Sequence, residues 1–283
     1  MTTGVRRAVR RSGGERPDSE YALVAGLYVA ALVVPAAVAT LARAVADAAG
    51  LYVGFLGVVA GVAGLVGWAV LRTPGLAVGL GRHDAAWLLV ALPFGWLIGV
   101  FWAGSLGFEP PRILVPLAVI ATGGGMCCGL VLVAMSRTRH AAAVAGTVET
   151  VEWEARWPRR WQRVARGAVV ASFALIGVGL VAIFVFDHEW GWGAYYFLLV
   201  GAPLMNLLNP RAFRATEAGL VVEHPLQRRF RPWSAFDGYE LTDDALVVRS
   251  VARWRPSHRC DRTDIEDLEA VVAALDGNLP RRQ

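Results

Sequence analysis

Charged residues vanish from this chain over six long stretches and crowd the intervals between them. The uncharged runs cover residues 21–42, 48–71, 85–108, 113–136, 167–186 and 190–210, each 20 to 24 residues long. A helix rises 1.5 Å per residue, so about 20 residues cross the roughly 30 Å hydrocarbon core of a bilayer. Lipid offers no partner to an exposed backbone N–H or C=O, so each crossing must be helical. The pattern predicts six transmembrane helices. Three connectors, 43–47, 109–112 and 187–189, are short enough to force their neighbours antiparallel, and the bundle reads as three hairpins.

After Pro210 the pattern changes to short alternating runs separated by turn residues. Strands are expected at 212–216, 220–223, 228–233, 239–241 and 245–251, with 252–258 as a further candidate. Thr263-Asp264-Ile265-Glu266 has the spacing of a capping box. It is expected to open a helix that buries Ile265, Leu268, Val271, Val272 and Leu275 and stops at Gly277. The fold class is therefore an all-α polytopic membrane bundle plus a small C-terminal α+β domain. The segments are an Arg-rich N-terminus (1–20), four spans (21–136), a connector (137–166), a transmembrane hairpin (167–210) and the terminal domain (211–283).

Composition strengthens this picture. The chain is 55% hydrophobic and 18% charged, with a mean hydropathy of +0.46. All 28 basic residues are Arg. Fourteen Arg fall in the N-terminal segment, the connector after span two and the 137–166 connector, against two, Arg43 and Arg112, in the short connectors. This positive-inside bias places both termini in the cytoplasm of a multi-pass cell-membrane protein. It also explains the net charge of +5 without nucleic acid. Arg6-Arg7 and Arg10-Arg11 before an apolar run also fit a cleavable twin-arginine leader. The uncharged run, which continues to Ala42, favours an intact first span.

Inside the spans there is no Asp, Glu, His, Lys or Arg, which argues against proton coupling. Gly57 and Gly61, like Gly125 and Gly129, are four apart, the spacing at which helices approach closely. That spacing serves packing within the bundle or, alternatively, a homo-oligomer face. Pro35, Pro93 and Pro203 are expected to kink their spans, whereas Pro116 falls in a first turn. Cys127-Cys128 and Cys260 show neither disulfide nor metal spacing, and no metal or cofactor is expected. Within the connector, 148–154 alternates like a short strand. Pro158 opens an amphipathic helix, with Trp157, Trp161 and Val164 on one side, that runs into span five.

Two groups in the terminal domain carry candidate chemistry. Arg211, Arg214, His224, Arg228, Arg229 and Arg231 could form an anion or lipid-headgroup patch beside the inner leaflet. The alternative is a solvated strand edge. His258 and Cys260 share a strand face, but no further ligand or catalytic partner accompanies them. Arg82, His83 and Asp84 form a polar triplet in the second connector.

The stretches "FRATEAGLVVEHP", "RRFRPWSAFDGYEL" and "DDALVVRS", closed by "DIEDLEAVVAAL", resemble the bacterial and archaeal membrane-associated PH-like domains of the YcxB-like group. Gly219, Trp233 and the 264–276 helix match that pattern, and the resemblance covers roughly residues 165–280. It implies an open barrel capped by a helix and a membrane-tethered interaction module. The function expected is a non-enzymatic membrane scaffold or regulator whose PH-like domain binds a protein or an anionic lipid. A small-solute transporter or channel is the alternative.

Overall fold

The computed structural model describes residues 18–108, 111, 113–145, 151–186, 204–205, 208–224, 227–252 and 255–282. They group into two units. A helical unit comprises Met1–Gly146 with Leu226–Arg229, and a second unit comprises Thr147–Pro225 with Phe230–Gln283.

In the helical unit, α1 (Ser19–Leu41) and α2 (Ala48–Leu71) begin at aspartates. The Asp18 carboxylate accepts from Tyr21 N at 2.9 Å, and that of Asp47 accepts from Gly50 N at 3.0 Å. Each satisfies an end N–H and places negative charge at the positive end of the helix dipole. A short helix, α3 (Leu76–Arg82), follows in what the sequence reads as plain connector. The third expected span is broken. A 3₁₀ turn (Asp84–Trp87) and α4 (Leu88–Ala91) meet α5 (Phe94–Ser105) at a 47° bend. The break falls at Pro93, which has no N–H to give Leu89 O and whose ring crowds that carbonyl. Pro35, by contrast, lies inside a continuous α1.

The long helix α6 (Leu114–Ala145) extends nine residues past the expected end of span four, because nothing from Arg137 onward breaks it. One face of α6 reads the proline break. Thr122 Oγ1 donates to Pro93 O at 3.0 Å, and Gly125 faces the Pro93 ring. A Cβ on Gly129 would lie 2.6 Å from Leu89 O, the carbonyl that Pro93 leaves without its helical donor. Trp96 Nε1 ties α5 to α1 by donating to Leu32 O at 3.0 Å.

Helices α1 and α2 cross where Gly26 meets the Ala63 backbone and Gly67 meets Ala22. Gly57 and Gly61 lie on the other side of α2 and face nothing within 4 Å among the described residues. Among the described residues, α2 meets α1 through Gly67 and Ala63, whose helical phase points toward α1.

The second unit opens with β1 (Val151–Ala155), followed by α7 (Arg159–Phe184), which Pro158 starts eight residues before the uncharged run begins. The strands β2 (Arg211–Ala215), β3 (Gly219–His224) and β4 (Gln227–Pro232) come next. They precede β5 (Phe236–Leu241), β6 (Ala245–Ser250) and β7 (His258–Asp261). Helix α8 (Leu268–Asp276) and the two-residue β8 (Arg281–Arg282) close the chain. One sheet has the order β1-β2-β3-β4 and the other β7-β6-β5-β8; β1–β2, β2–β3, β5–β6 and β6–β7 pair antiparallel and β5 with β8 parallel.

Three expectations change here. The terminal domain recruits Val151–Ala155 from the connector, in the register Ala155↔Arg211. The last long strand is 258–261 rather than 252–258. Helix α8 starts at Leu268 with Asp267 as its cap, accepting from Ala270 N at 2.9 Å. The capping-box residues do other work: Asp261 accepts from Thr263 N, and Asp264 accepts from Arg156 N.

The core between the sheets gathers alternate residues of every long strand except β4. Trp153, Phe213, Leu220, Val222, Tyr239, Leu246, Val248 and Cys260 join Val271 and Leu275 of α8. Trp153 stacks on Phe213 across β1 and β2, centroids 5.5 Å apart at 12°. Trp233 Nε1 donates to Thr216 O at 2.9 Å, tying the Trp before β5 to the turn that ends at Gly219.

Candidate functional site

The antiparallel pair β1–β2 ends at Ala155↔Arg211. From this end the chain passes into α7 within four residues. To the same end it returns directly from the apolar stretch 190–210, most of which lies outside the described residues. The joint is fastened at Arg156: its N–H donates to Asp264 Oδ2 at 2.9 Å, and its carbonyl accepts from Asp261 N at 2.8 Å. One residue on, Trp157 O accepts from Gln162 Nε2 at 2.6 Å, and the Trp157 ring lies edge-on to Trp161. The chain just before α7 is thus bound to the β7 end of the domain by two hydrogen bonds at the Arg156 backbone, one to a backbone N–H and one to a carboxylate.

Arg211 stands at this corner. Successive strand residues point to opposite faces. Arg211 therefore shares the inner face with Phe213 and Ala215, which are 3% and 6% exposed. Its guanidinium lies 5.8 Å from the Trp157 ring centroid and beside the Cys260 thiol. Burial lowers its pKa below the usual arginine value. Its Nε is buried and makes no hydrogen bond among the described residues.

Only part of the six-residue patch assembles here. His224 lies half-buried on the inner face of β3, after Leu220 and Val222, one step beyond the register pair Ala212↔Glu223. Arg214 points to the outer face, where it pairs with Glu152 across the strands at 2.7 Å. Arg231 is half-buried on β4. Arg228 and Arg229 lie on β4, in a stretch that groups by its contacts with the helical unit. The alternation of β2 separates Arg211 from Arg214, a consequence of their odd spacing.

The His258–Cys260 pair has a structural place. Cys260 is fully buried, and burial pushes its thiol up to about 12. His258 sits between the rings of Phe213 and Phe236, at 5.9 and 6.1 Å. Among the described residues no group of three His, Cys, Asp or Glu is placed to hold a metal. His83, from the connector triplet, borders an apolar cavity of about 220 Å³ with Leu80, Leu88, Leu89 and Leu92.

Sequence reasoning missed a second polar cluster, in the helical unit. Asp18 pairs with Arg139 through both carboxylate oxygens, at 2.7 and 2.6 Å. Arg139 also lies over the Tyr21 ring at 4.6 Å, and the Tyr21 hydroxyl is 2.9 Å from Ser136 Oγ in a buried contact. Asp18 three residues before Tyr21 was the available signal, since that is N-cap spacing.

Fold and site together define the class: a largely helical chain with apolar helices that could span a membrane, carrying a C-terminal sheet region. Among the described residues, four helices are long and apolar enough to cross a bilayer, or five if the bent pair counts as one span. Compared with known proteins, the chain matches no family model, no curated sequence and no solved structure.

Proposed function

We propose that this protein is a non-enzymatic membrane scaffold or regulator whose C-terminal domain, PH-like in build, binds a protein or lipid at the cytoplasmic face. The observation that carries the reading is the register Ala155↔Arg211. Both apolar segments join the domain at one end of one strand pair, so that end is adjacent to the bilayer. Arg159, Arg160, Arg163 and Arg166 in the first turns of α7 add basic charge suited to anionic headgroups. Among the described residues, seven strands of four residues or more in two sheets and a closing helix support the PH-like reading.

The test is amide hydrogen exchange on the full chain in nanodiscs of phosphatidylcholine with or without phosphatidylglycerol. Slower exchange over β1 and the start of β2 in the anionic discs, diminishing with added salt, is the expected result. Equal exchange in both lipids removes the lipid half of the proposal and leaves a protein partner.

A second reading, a small-solute transporter or channel, draws on the break at Pro93 and the apolar cavity near it. Those walls suit an apolar solute rather than an ion. If proteoliposomes carrying the protein pass apolar dyes no faster than empty ones, this reading ends.

A further inference from the structure

We propose that Arg211 and Trp157 form a binding site for a phosphate group, taken from a lipid headgroup or as a free anion. The lipid source rests on the membrane-adjacent placement argued above; the anion chemistry does not.

The arginines of the sheet unit are unequally partnered. Three other arginines of the sheet unit have carboxylate partners: Arg214 with Glu152, Arg249 with Glu240, and Arg282 with Asp237. Arg211 points into the domain and has no ion pair among the described residues. Its Nε is buried without a hydrogen bond, as is that of Arg214, but Arg214 has the Glu152 carboxylate beside it and Arg211 has none among the described residues. The group beside it, Cys260, holds its proton far above neutral pH and supplies no negative charge. The carboxylate near that thiol, Asp264, accepts from the Arg156 N–H. A cation drawn from water without a partner is costly, and proteins ordinarily supply it an anion or a ligand.

The geometry says which kind of ligand. A guanidinium offers parallel N–H donors in a planar fork that matches the oxygens of a phosphate. The Trp157 ring lies beside the guanidinium, its centroid 5.8 Å away. Trp157 also follows directly on the Arg156 clamp, so a bound phosphate would brace the point from which α7 leaves.

The experiment uses the full chain in neutral detergent micelles and follows thermal unfolding. The additions are phosphatidic acid, inorganic phosphate, or chloride at matched ionic strength. In chloride, Arg211→Met is expected to melt above wild type, because it removes a partly desolvated cation with no ion pair among the described residues. With phosphatidic acid the order reverses. Wild type and Arg214→Met both rise, and the apparent affinity of Arg211→Met is at least about tenfold weaker, roughly 1.4 kcal/mol.

A rise with inorganic phosphate as well assigns a free-anion site; a rise with phosphatidic acid alone assigns a headgroup site. Arg211→Lys, which keeps the charge and loses the fork, should also bind about tenfold more weakly, and it serves if the methionine variant does not fold. The proposal is overturned if Arg211→Met melts below wild type in chloride and responds to phosphatidic acid as wild type does. It is equally overturned if Arg214→Met, rather than the Arg211 variants, loses the response. Such a failure leaves the scaffold reading to be judged by its own exchange experiment.

Discussion

The helical unit and the sheet unit are held together by different physics. In the sheet unit, large side chains point inward and are lost from water: Trp153, Phe213, Tyr239, Leu220 and Leu246 are each 5% exposed or less. In the helical unit the buried positions are largely small, such as Ala22, Ala118 and Ala121, while Phe101, Trp102, Leu65 and Ile120 face outward. Burying apolar surface stabilises a domain against water but not against lipid tails, which are equally apolar. What remains for the helices is close backbone approach and hydrogen bonding. Gly26 on Ala63, Gly129 on Leu89 O, Thr122 to Pro93 O and Trp96 to Leu32 O are contacts of that kind.

The contrast breaks most sharply if the sheet unit can be made to stand in water. Residues 211–283 alone lack β1, so Trp153 and Ala155 leave the core open, and this fragment is expected not to fold. Replacing 157–210 by a short turn would close β1 and β2 into an ordinary hairpin, since Ala155 and Arg211 are already paired. That chain is expected to fold cooperatively in urea titrations. Within it, Trp153→Ala should cost about 3–5 kcal/mol, the usual loss for deleting a buried aromatic. Cooperative folding of 211–283 by itself would show that β1 is an accessory.

Next in size comes the crowding test in the helices. Gly129→Leu must push the Leu89 carbonyl away and should destabilise the helical unit by about 1–3 kcal/mol. Gly57→Leu faces open space and is expected to change little. Thermal unfolding of the full chain in detergent compares the two. A larger effect at Gly57 would mean that the exposed face of α2 is covered.

Alkaline pH should act mainly on the sheet unit. Burial raises the Cys260 thiol from 9.0 to about 12. Desolvation first, and then the Asp276 carboxylate that accepts the Tyr239 hydroxyl at 2.5 Å, raise Tyr239 from 10.0 to about 12. The folded form keeps protons that the unfolded chain releases. The associated stability is therefore complete below pH 9 and is lost as pH climbs toward 12. The chain has no Lys, so Cys and Tyr dominate this window. Tyr239→Phe should flatten the loss in unfolding midpoints measured between pH 8 and 11.

What the sequence made legible follows the same division. Runs of uncharged residues located α1, α2, α6 and α7 because hydropathy is a property of the segment itself. The break at Pro93 was legible for the same reason. Alternation and turn residues found β2, β3 and β6. The membership of β1 was not legible, since pairing Val151–Ala155 with Arg211–Ala215 spans more than 50 residues of chain. The proposed anion site was half legible. Arg211 was among the six candidates, but only the register shows that it faces inward while Arg214 faces out, and only the fold brings Trp157 to its side. The capping-box motif misled because Asp264 is used by a distant N–H, that of Arg156.

The finest test of the contrast is Tyr21→Phe. The Tyr21 hydroxyl is 2.9 Å from Ser136 Oγ, and both residues are buried. In water-soluble cores a lost hydrogen bond that leaves a partner unsatisfied costs about 1–3 kcal/mol. Between membrane helices the measured average is about 0.6 kcal/mol, because the separated helices find other partners. Tyr21 keeps its ring, and with it the 4.6 Å contact to Arg139, so the variant isolates the hydroxyl. A change near 0.6 kcal/mol in detergent unfolding would place this end of α1 and α6 within the lipid regime. A loss above about 2 kcal/mol would place it with the sheet unit, as a protein core closed to water, and would move the boundary between the two regimes inward from Asp18 and Arg139.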